Sequence, residues 1–417
     1  MSDRVDVREW VDFQWPYLMQ WLGGEERVER LAYETGAFTR RRKITSPGDL
    51  LQLLLLWAAG GHSLRETAVL AAAGEVADVS DVALLKRFAK CDQWVMSFLS
   101  EVITDGCRYD GLDKRLRLID ATIVASAGKR RHNDHRIHLS YNARAGRIDH
   151  VELTSMKGGE DLTRFEFAPS DVVIADRGYG RAGGIRKVAD AGAQLIVRVS
   201  WQNLPLEHPD GTRFDVMEAL RSLDDARADE FSVCLRGDPN RRVYRFVAIR
   251  KSEPKAAASR RKLATTGRKD RRNLDTRSLE AAGYVFVLTN LDQSVTAEQV
   301  LELYQLRWQV EIRFKSLKSV IHLDQLPVRN FELAQTYLAA KLLVAVLIEQ
   351  LLFEYDSFPP WGYPLQPAFP SSFAQAVPQI VPQAGSPLAA DPDTAPTDPD
   401  GTHPTATRTP VATANPQ

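Results

Sequence analysis

Three carboxylates, Asp120, Asp176 and Glu311, stand where their surroundings call for chemistry. Asp120 ends the run Leu116-Arg117-Leu118-Ile119, and Asp176 directly follows Val172-Val173-Ile174-Ala175. Both runs have the length and apolar character of buried strands, which places each carboxylate at or just after a strand end. Alone, either aspartate reads as a turn residue or helix cap, and Asp176-Arg177-Gly178-Tyr179-Gly180 as a tight turn. If the two strands are adjacent and parallel, both carboxylates converge on one sheet edge. Like charges repel there unless a cation lies between them, and a hard divalent ion is the natural partner.

A helix can supply the third ligand. Tyr304, Arg307, Glu311 and Lys318 stand at i, i+3, i+7 and i+14, and Lys315 falls near the same stripe. At about 100° per residue these positions share a narrow arc. Leu303, Leu306, Trp308, Val310 and Ile312 lie on other faces and are expected to dock the helix. The bland alternative is an Arg307–Glu311 pair on a solvated helix, worth only ~0.3–0.5 kcal/mol. The two strand-end aspartates favour the metal.

The elements needed to position these groups are legible. Leu116 to Val124, Arg136 to Tyr141 and Ile148 to Thr154, with a turn at Ala145-Gly146, predict an antiparallel meander. A polar helical segment, the strand Val172 to Ala175, a helix from Ile185 to Ala191 and the strand Gln194 to Val199 are expected next. That order predicts an α/β fold with a ribonuclease-H-like core, its first and fourth strands side by side. Residues 201–282 are polar and turn-rich, with strand candidates Phe231 to Leu235 and Val243 to Arg250, and are expected to form a mostly β insertion. The core is thus expected in two parts, 111–200 and 283–356, the second carrying the glutamate helix. Residues 1–110 have helical periodicity: Ser46-Pro47 and Ser63 are start signals, and Gly60-Gly61 is a stop. Leu64 to Ala73 and Asp81 to Lys90, around Gly74, resemble a helix-turn-helix that could touch DNA, or simply pack as helices do. From 357 to 417 the chain holds 14 of its 22 prolines and little periodicity, so a disordered tail is expected.

Net charge is zero overall, which conceals an uneven distribution: the first 356 residues carry 53 Lys and Arg against 50 Asp and Glu. Bases cluster at Arg40-Arg41-Arg42-Lys43, at Lys129-Arg130-Arg131 and from Arg260 to Arg272, as suits a polyanion. Cys91, Cys107 and Cys234 show no disulfide or zinc spacing, and no signal peptide pattern opens the chain. A cytoplasmic protein is expected. Leu50 to Ala59 and Leu342 to Ile348 read as core helices rather than membrane spans.

Tyr304-Arg307-Glu311-Lys318 resembles the Y-x2-R-x3-E-x6-K signature of the insertion-sequence-four family of DDE transposases. Leu118-Ile119-Asp120-Ala121-Thr122 and Ile174-Ala175-Asp176-Arg177-Gly178-Tyr179 resemble its two aspartate motifs, and the similarity covers about residues 20 to 350. The resemblance implies cut-and-paste transposition of double-stranded DNA by a homodimer associated with the nucleoid. It further implies that Asp120, Asp176 and Glu311 hold two Mg²⁺ ions, for which Mn²⁺ can substitute, ~3.5–4 Å apart. Tyr304, Arg307, Lys318 and Lys315 are expected near phosphates, and Trp201 and Trp308 are candidates for stacking on a base. Two other readings remain open: a catalytically incompetent DNA-binding relative that inhibits transposition, and a ribonuclease-H-like nuclease that cuts without joining.

Overall fold

The computed structural model describes Trp15 and residues 18–107, 115–125, 135–224, 227–269, 271 and 273–354. The basic run Lys129-Arg130-Arg131 and the proline-rich tail lie outside the described residues.

The N-terminal helices are α1 (Glu25–Glu34), α2 (Pro47–Gly60), α3 (Leu64–Ala73), α4 (Asp81–Phe88) and α5 (Asp92–Cys107), and capping chemistry sets α2, α3 and α4. Ser46 and Asp49 form a reciprocal capping box with Pro47 behind it, and Gly61, at φ 64, ends α2 in the left-handed region. Ser63 and Glu66 repeat the box on α3, and Ser80 accepts from the Ala83 amide on α4. Trp57 of α2 stacks on Phe88 at 5.1 Å and meets the edge of Tyr337 at 4.7 Å. Tyr337 belongs to α12 (Phe331–Glu354), so the N-terminal helices and the last described helix share one core. By length and composition Phe331–Glu349 could cross a membrane, but 72% of it is buried inside the fold, as a core helix is.

The meander forms as expected from β1 (Arg115–Val124), β2 (His135–Asn142) and β3 (Arg147–Ser155). The helical segment expected before β4 (Asp171–Ala175) is absent: only a 3₁₀ turn, Leu162–Arg164, forms there. Its polar groups have partners elsewhere, since Arg164 donates to Glu152 and to the Gly159 carbonyl, both at 2.8 Å. Then come α6 (Ala182–Asp190) and β5 (Gln194–Arg198).

Residues 201–282 contribute β6 (Leu206–Glu207), α7 (Val216–Arg221), β7 (Asp229–Leu235), β8 (Val243–Arg250), α8 (Glu253–Lys269) and α9 (Thr276–Ala281). With β9 (Tyr284–Thr289), the described strands make one sheet in the order β3-β2-β1-β4-β5-β9-β8-β7-β6. The segment is not mostly β as expected, since its alanine-rich run after Pro254 forms the 17-residue helix α8 and helix outweighs strand; its strands extend the central sheet through the β8–β9 pairing. The result is a mixed α/β fold with helices over both sheet faces.

Strand register delivers the aspartates. β1 and β4 are parallel neighbours, paired from Arg115 with Asp171 to Ile119 with Ala175. The next pair in that register is Asp120 with Asp176. Strand alternation puts them on one face: Leu116, Leu118, Val172, Ile174 and Ile196 belong to one core, whereas Ile119, Val173, Ala175 and Val197 belong to the other. A buried ion-pair cluster fastens the opposite ends of both strands. Asp171, fully buried, accepts from Arg115 at 2.7 and 3.1 Å and from Arg117 at 3.1 Å. Arg117 also pairs with Asp149 at 3.2 Å.

Candidate active site

The helix expected to carry Tyr304 through Lys318 is two helices, α10 (Ala297–Gln305) and α11 (Trp308–Val320). At the joint the amides of Leu306 and Arg307 reach back three residues, to Leu303 and Tyr304, at 3.1 Å. Such tightening eclipses side chains at i and i+3. Arg307 consequently lies over the Tyr304 ring, 5.9 Å from its centre. Val310, Phe314 and Leu317 bury one face of α11, and Arg313 pairs with Glu349 of α12. Lys341 of α12 donates to the carbonyls of Ile321 and His322, closing the end of α11. Ile312, expected to dock the helix, is 49% exposed, because at about 100° per residue it lies on the far side of α11 from the buried stripe Val310, Phe314 and Leu317.

Five groups meet at the sheet edge. Arg307 Nη2 lies 2.5 Å from Glu311 Oε1, and Arg307 Nη1 lies 3.8 Å from Asp120 Oδ2. The Tyr304 hydroxyl donates to Asp176 Oδ1 at 3.2 Å. Asp176 occupies the N-cap position of a 3₁₀ turn, Arg177–Tyr179, yet makes no capping bond, which leaves its carboxylate to the site. The turn comes close to β5: a side chain at Gly180 would lie 2.7 Å from the Arg198 carbonyl, so only glycine fits.

The electrostatics fit a cation site. Burial pushes Asp120 up to about 7, with Asp176 and Glu311 adding to the rise and Arg307 opposing it. Burial also acts to raise Asp176, but the Arg307 and Arg198 guanidinia outweigh it and hold Asp176 below its ordinary value. Burial beside Asp176 keeps the Tyr304 phenol protonated, a donor rather than an anion. Three carboxylates thus surround one guanidinium, which stands in for the positive charge their oxygens require. Among the described residues no three acidic, histidine or cysteine side chains are drawn close enough to cage a metal as they stand. The oxygen-only donor set nonetheless suits a hard dication.

Tyr304, expected beside a phosphate, is 1% exposed, and its hydroxyl orients Asp176 instead. Lys318 is half-buried near the end of α11. Lys315 is exposed and lies 5.0 Å over the Trp308 ring. Trp201 is half-buried under Arg277, 4.6 Å from its ring centre. In the helix-turn-helix candidate, Arg87 is engaged locally, stacked over Phe38 and donating to the Arg40 carbonyl at 2.7 Å. Sequence reasoning missed Arg198. Only the pairing of β4 with β5 reveals it: Arg198 follows Val197, the register partner of Ala175, and so stands beside Asp176.

Residues 111–347 match the transposase DDE domain family, and the transposase for insertion sequence element IS421 of Escherichia coli is 36% identical over 356 residues, 83% of this chain and 96% of that protein. The chain belongs to the DDE transposases. The InsL protein of insertion sequence element IS186A, from Escherichia coli K12, is likewise 36% identical over 83% of this chain and 96% of its own length. A more distant relative, the transposase for IS231F of Bacillus thuringiensis subsp. israelensis, is 25% identical over 58% of this chain and 57% of its own. The transposase is therefore an enzyme acting on DNA, of a divalent-metal-dependent kind. The matched segment contains Asp120, Asp176, Arg198, Tyr304, Arg307 and Glu311.

Proposed function

We propose that this transposase cuts an insertion sequence from double-stranded DNA and joins it to a target, using Asp120, Asp176 and Glu311 as metal ligands. The observation that carries this reading is the convergence of Glu311 and Asp120 on Arg307, with Asp176 held by Tyr304, at one sheet edge. Mg²⁺ is the proposed ion, with Mn²⁺ able to replace it; when bound, it supplies Lewis acidity to the attacking and leaving oxygens. On this reading the sheet order β3-β2-β1-β4-β5 is a ribonuclease-H-like core, 201–282 an inserted segment of mixed helix and strand, and 1–110 a helical region that contacts DNA. The tightened α10–α11 joint supports a divided role for the family signature: Tyr304 positions Asp176, Arg307 neutralises the carboxylates, and Lys318 and Lys315 face phosphate.

Cleavage attaches a water oxygen to phosphorus and breaks the bond to the 3′ oxygen, which leaves as a hydroxyl. In joining, that hydroxyl oxygen bonds to a target phosphorus and displaces the next 3′ oxygen. A homodimer on the DNA, within the nucleoid, would pair two ends.

Duplexes carrying the element's end, intact or pre-cut, distinguish the readings. Nicking of the first and joining of the second, both with Mg²⁺ and neither with chelator, is expected. Nicking without joining indicates a nuclease; binding without either step indicates an inhibitor of transposition.

A further inference from the structure

Helix α8 concentrates six cations, Lys255, Arg260, Arg261, Lys262, Arg268 and Lys269, against the single anion Glu253. Helix spacing sorts them. Lys255, Lys262 and Lys269 recur every seven residues along one stripe, and Arg261 and Arg268 form a second stripe beside it. Ala256 and Gly267, the buried positions, lie on the opposite side. A side chain at Gly267 would meet Leu274 at 2.7 Å, so this glycine lets the inner face pack closely. Arg261, Lys262, Arg268 and Lys269 are exposed. They form two adjacent pairs two turns apart, about 10 Å along the axis.

The cluster Arg40-Arg41-Arg42-Lys43 is neutralised in part. Arg41 pairs with Glu29 at 3.3 Å and Lys43 with Asp78 at 3.0 Å. Within α8, Arg260 pairs with Glu253 at 2.9 Å, at the helix's beginning. Among the described residues none is ion-paired with Arg261, Lys262, Arg268 or Lys269, in a chain whose net charge is zero.

Topology places the start of this helix at the same end of the sheet as the carboxylates. β1, β4 and β5 are parallel, β9 is antiparallel to β5, and β8 is antiparallel to β9. β8 therefore runs in the direction of β4 and ends at the sheet edge where Asp120 and Asp176 lie. α8 leaves from that edge, and Lys251 donates to Ser259 at 2.9 Å to fasten it there. Between β4 and β8 lie three strand spacings of ~4.8 Å. Across the strands the base of the helix is thus displaced roughly 14 Å from Asp176, and β8 runs on to Arg250, past the level of Asp176, before the helix begins.

We propose that the outer face of α8 is a docking surface for the sugar-phosphate backbone of the duplex being cut, read through charge and not through base sequence. This rests on the proposed DNA chemistry for the partner's identity, and on charge and topology for its position. Phosphate neutralisation releases counterions, so it registers as the slope of log affinity against log salt, about 0.9 per charge.

The test compares the full-length chain with a variant combining Arg261→Ala, Lys262→Ala, Arg268→Ala and Lys269→Ala, on duplexes with and without the element's end. The expected result is an unchanged melting temperature and a slope shallower by about 3.6, equally on both duplexes. Lys262→Glu with Lys269→Glu should weaken binding further than the matching alanines. A folded four-site variant with the wild-type slope, or a loss confined to the end-bearing duplex, overturns the proposal. Mg²⁺-dependent nicking by the wild type is scored in parallel. If nicking is absent while the slope falls as expected, the docking surface stands and the catalytic reading fails.

Discussion

Glu311→Gln is expected to lower Mg²⁺-dependent cleavage by about 10³-fold or more, while affinity for the same duplex changes by no more than about twofold. The substitution preserves shape and leaves an oxygen that can still accept from Arg307, now 2.5 Å from the carboxylate. It removes the charge that a dication needs. Loss of one such ligand is asked to supply roughly 4 kcal/mol of barrier, at about 1.4 kcal/mol per tenfold in rate. Binding should persist, because affinity for a duplex comes mostly from phosphate neutralisation by cations, and Glu311 contributes none. Single-turnover cleavage of a labelled end, with affinity measured separately, separates the two effects. Undiminished metal-dependent cleavage by this variant would remove Glu311 from the reaction.

The second large effect is on stability. Asp171→Asn should cost about 3–5 kcal/mol, because it leaves Arg117, itself only 4% exposed, short of a buried counter-charge. Asp149 remains as a partner, which keeps the loss finite. Set against a total stability of about 5–15 kcal/mol for a typical protein, this is a large fraction. A lower urea midpoint at constant slope is the readout. The same residue joins the starts of β1 and β4, so the variant should also lose cleavage under conditions where it remains folded. A loss below about 1 kcal/mol would mean that the cluster does not hold the two strands in register.

The two aspartates were legible because buried parallel strands announce themselves as apolar runs, and a carboxylate directly after such a run is conspicuous; Asp176 does follow its strand, whereas Asp120 lies within β1, which runs on to Val124 beyond its pairing with β4. The adjacency of β1 and β4 followed from the order of elements. Caps at Ser46, Ser63 and Ser80 were readable because their chemistry is local. What escaped was decided by tertiary contacts. The α10–α11 joint has no proline or glycine to mark it, and Arg307 is drawn into the carboxylates by pairing partners remote in sequence. Tyr304 reads as a surface phenol on a polar stripe, yet packing buries it and turns its hydroxyl to Asp176. Arg198 could be assigned only once β4 and β5 were paired. The joining of residues 201–282 to the central sheet likewise depended on the long-range pairing of β8 with β9.

Manganese binding tests the central claim most directly, because it reads the carboxylates without requiring turnover. Free Mn²⁺ can be followed by its paramagnetic signal as it is titrated into the duplex-bound protein. The wild type should bind Mn²⁺ saturably and in competition with Mg²⁺, and Asp120→Asn, Asp176→Asn and Glu311→Gln should each weaken that binding by about tenfold or more, since even outer partners of metal ligands carry effects of that size. Wild-type affinity in all three variants would contradict a metal site at Asp120, Asp176 and Glu311.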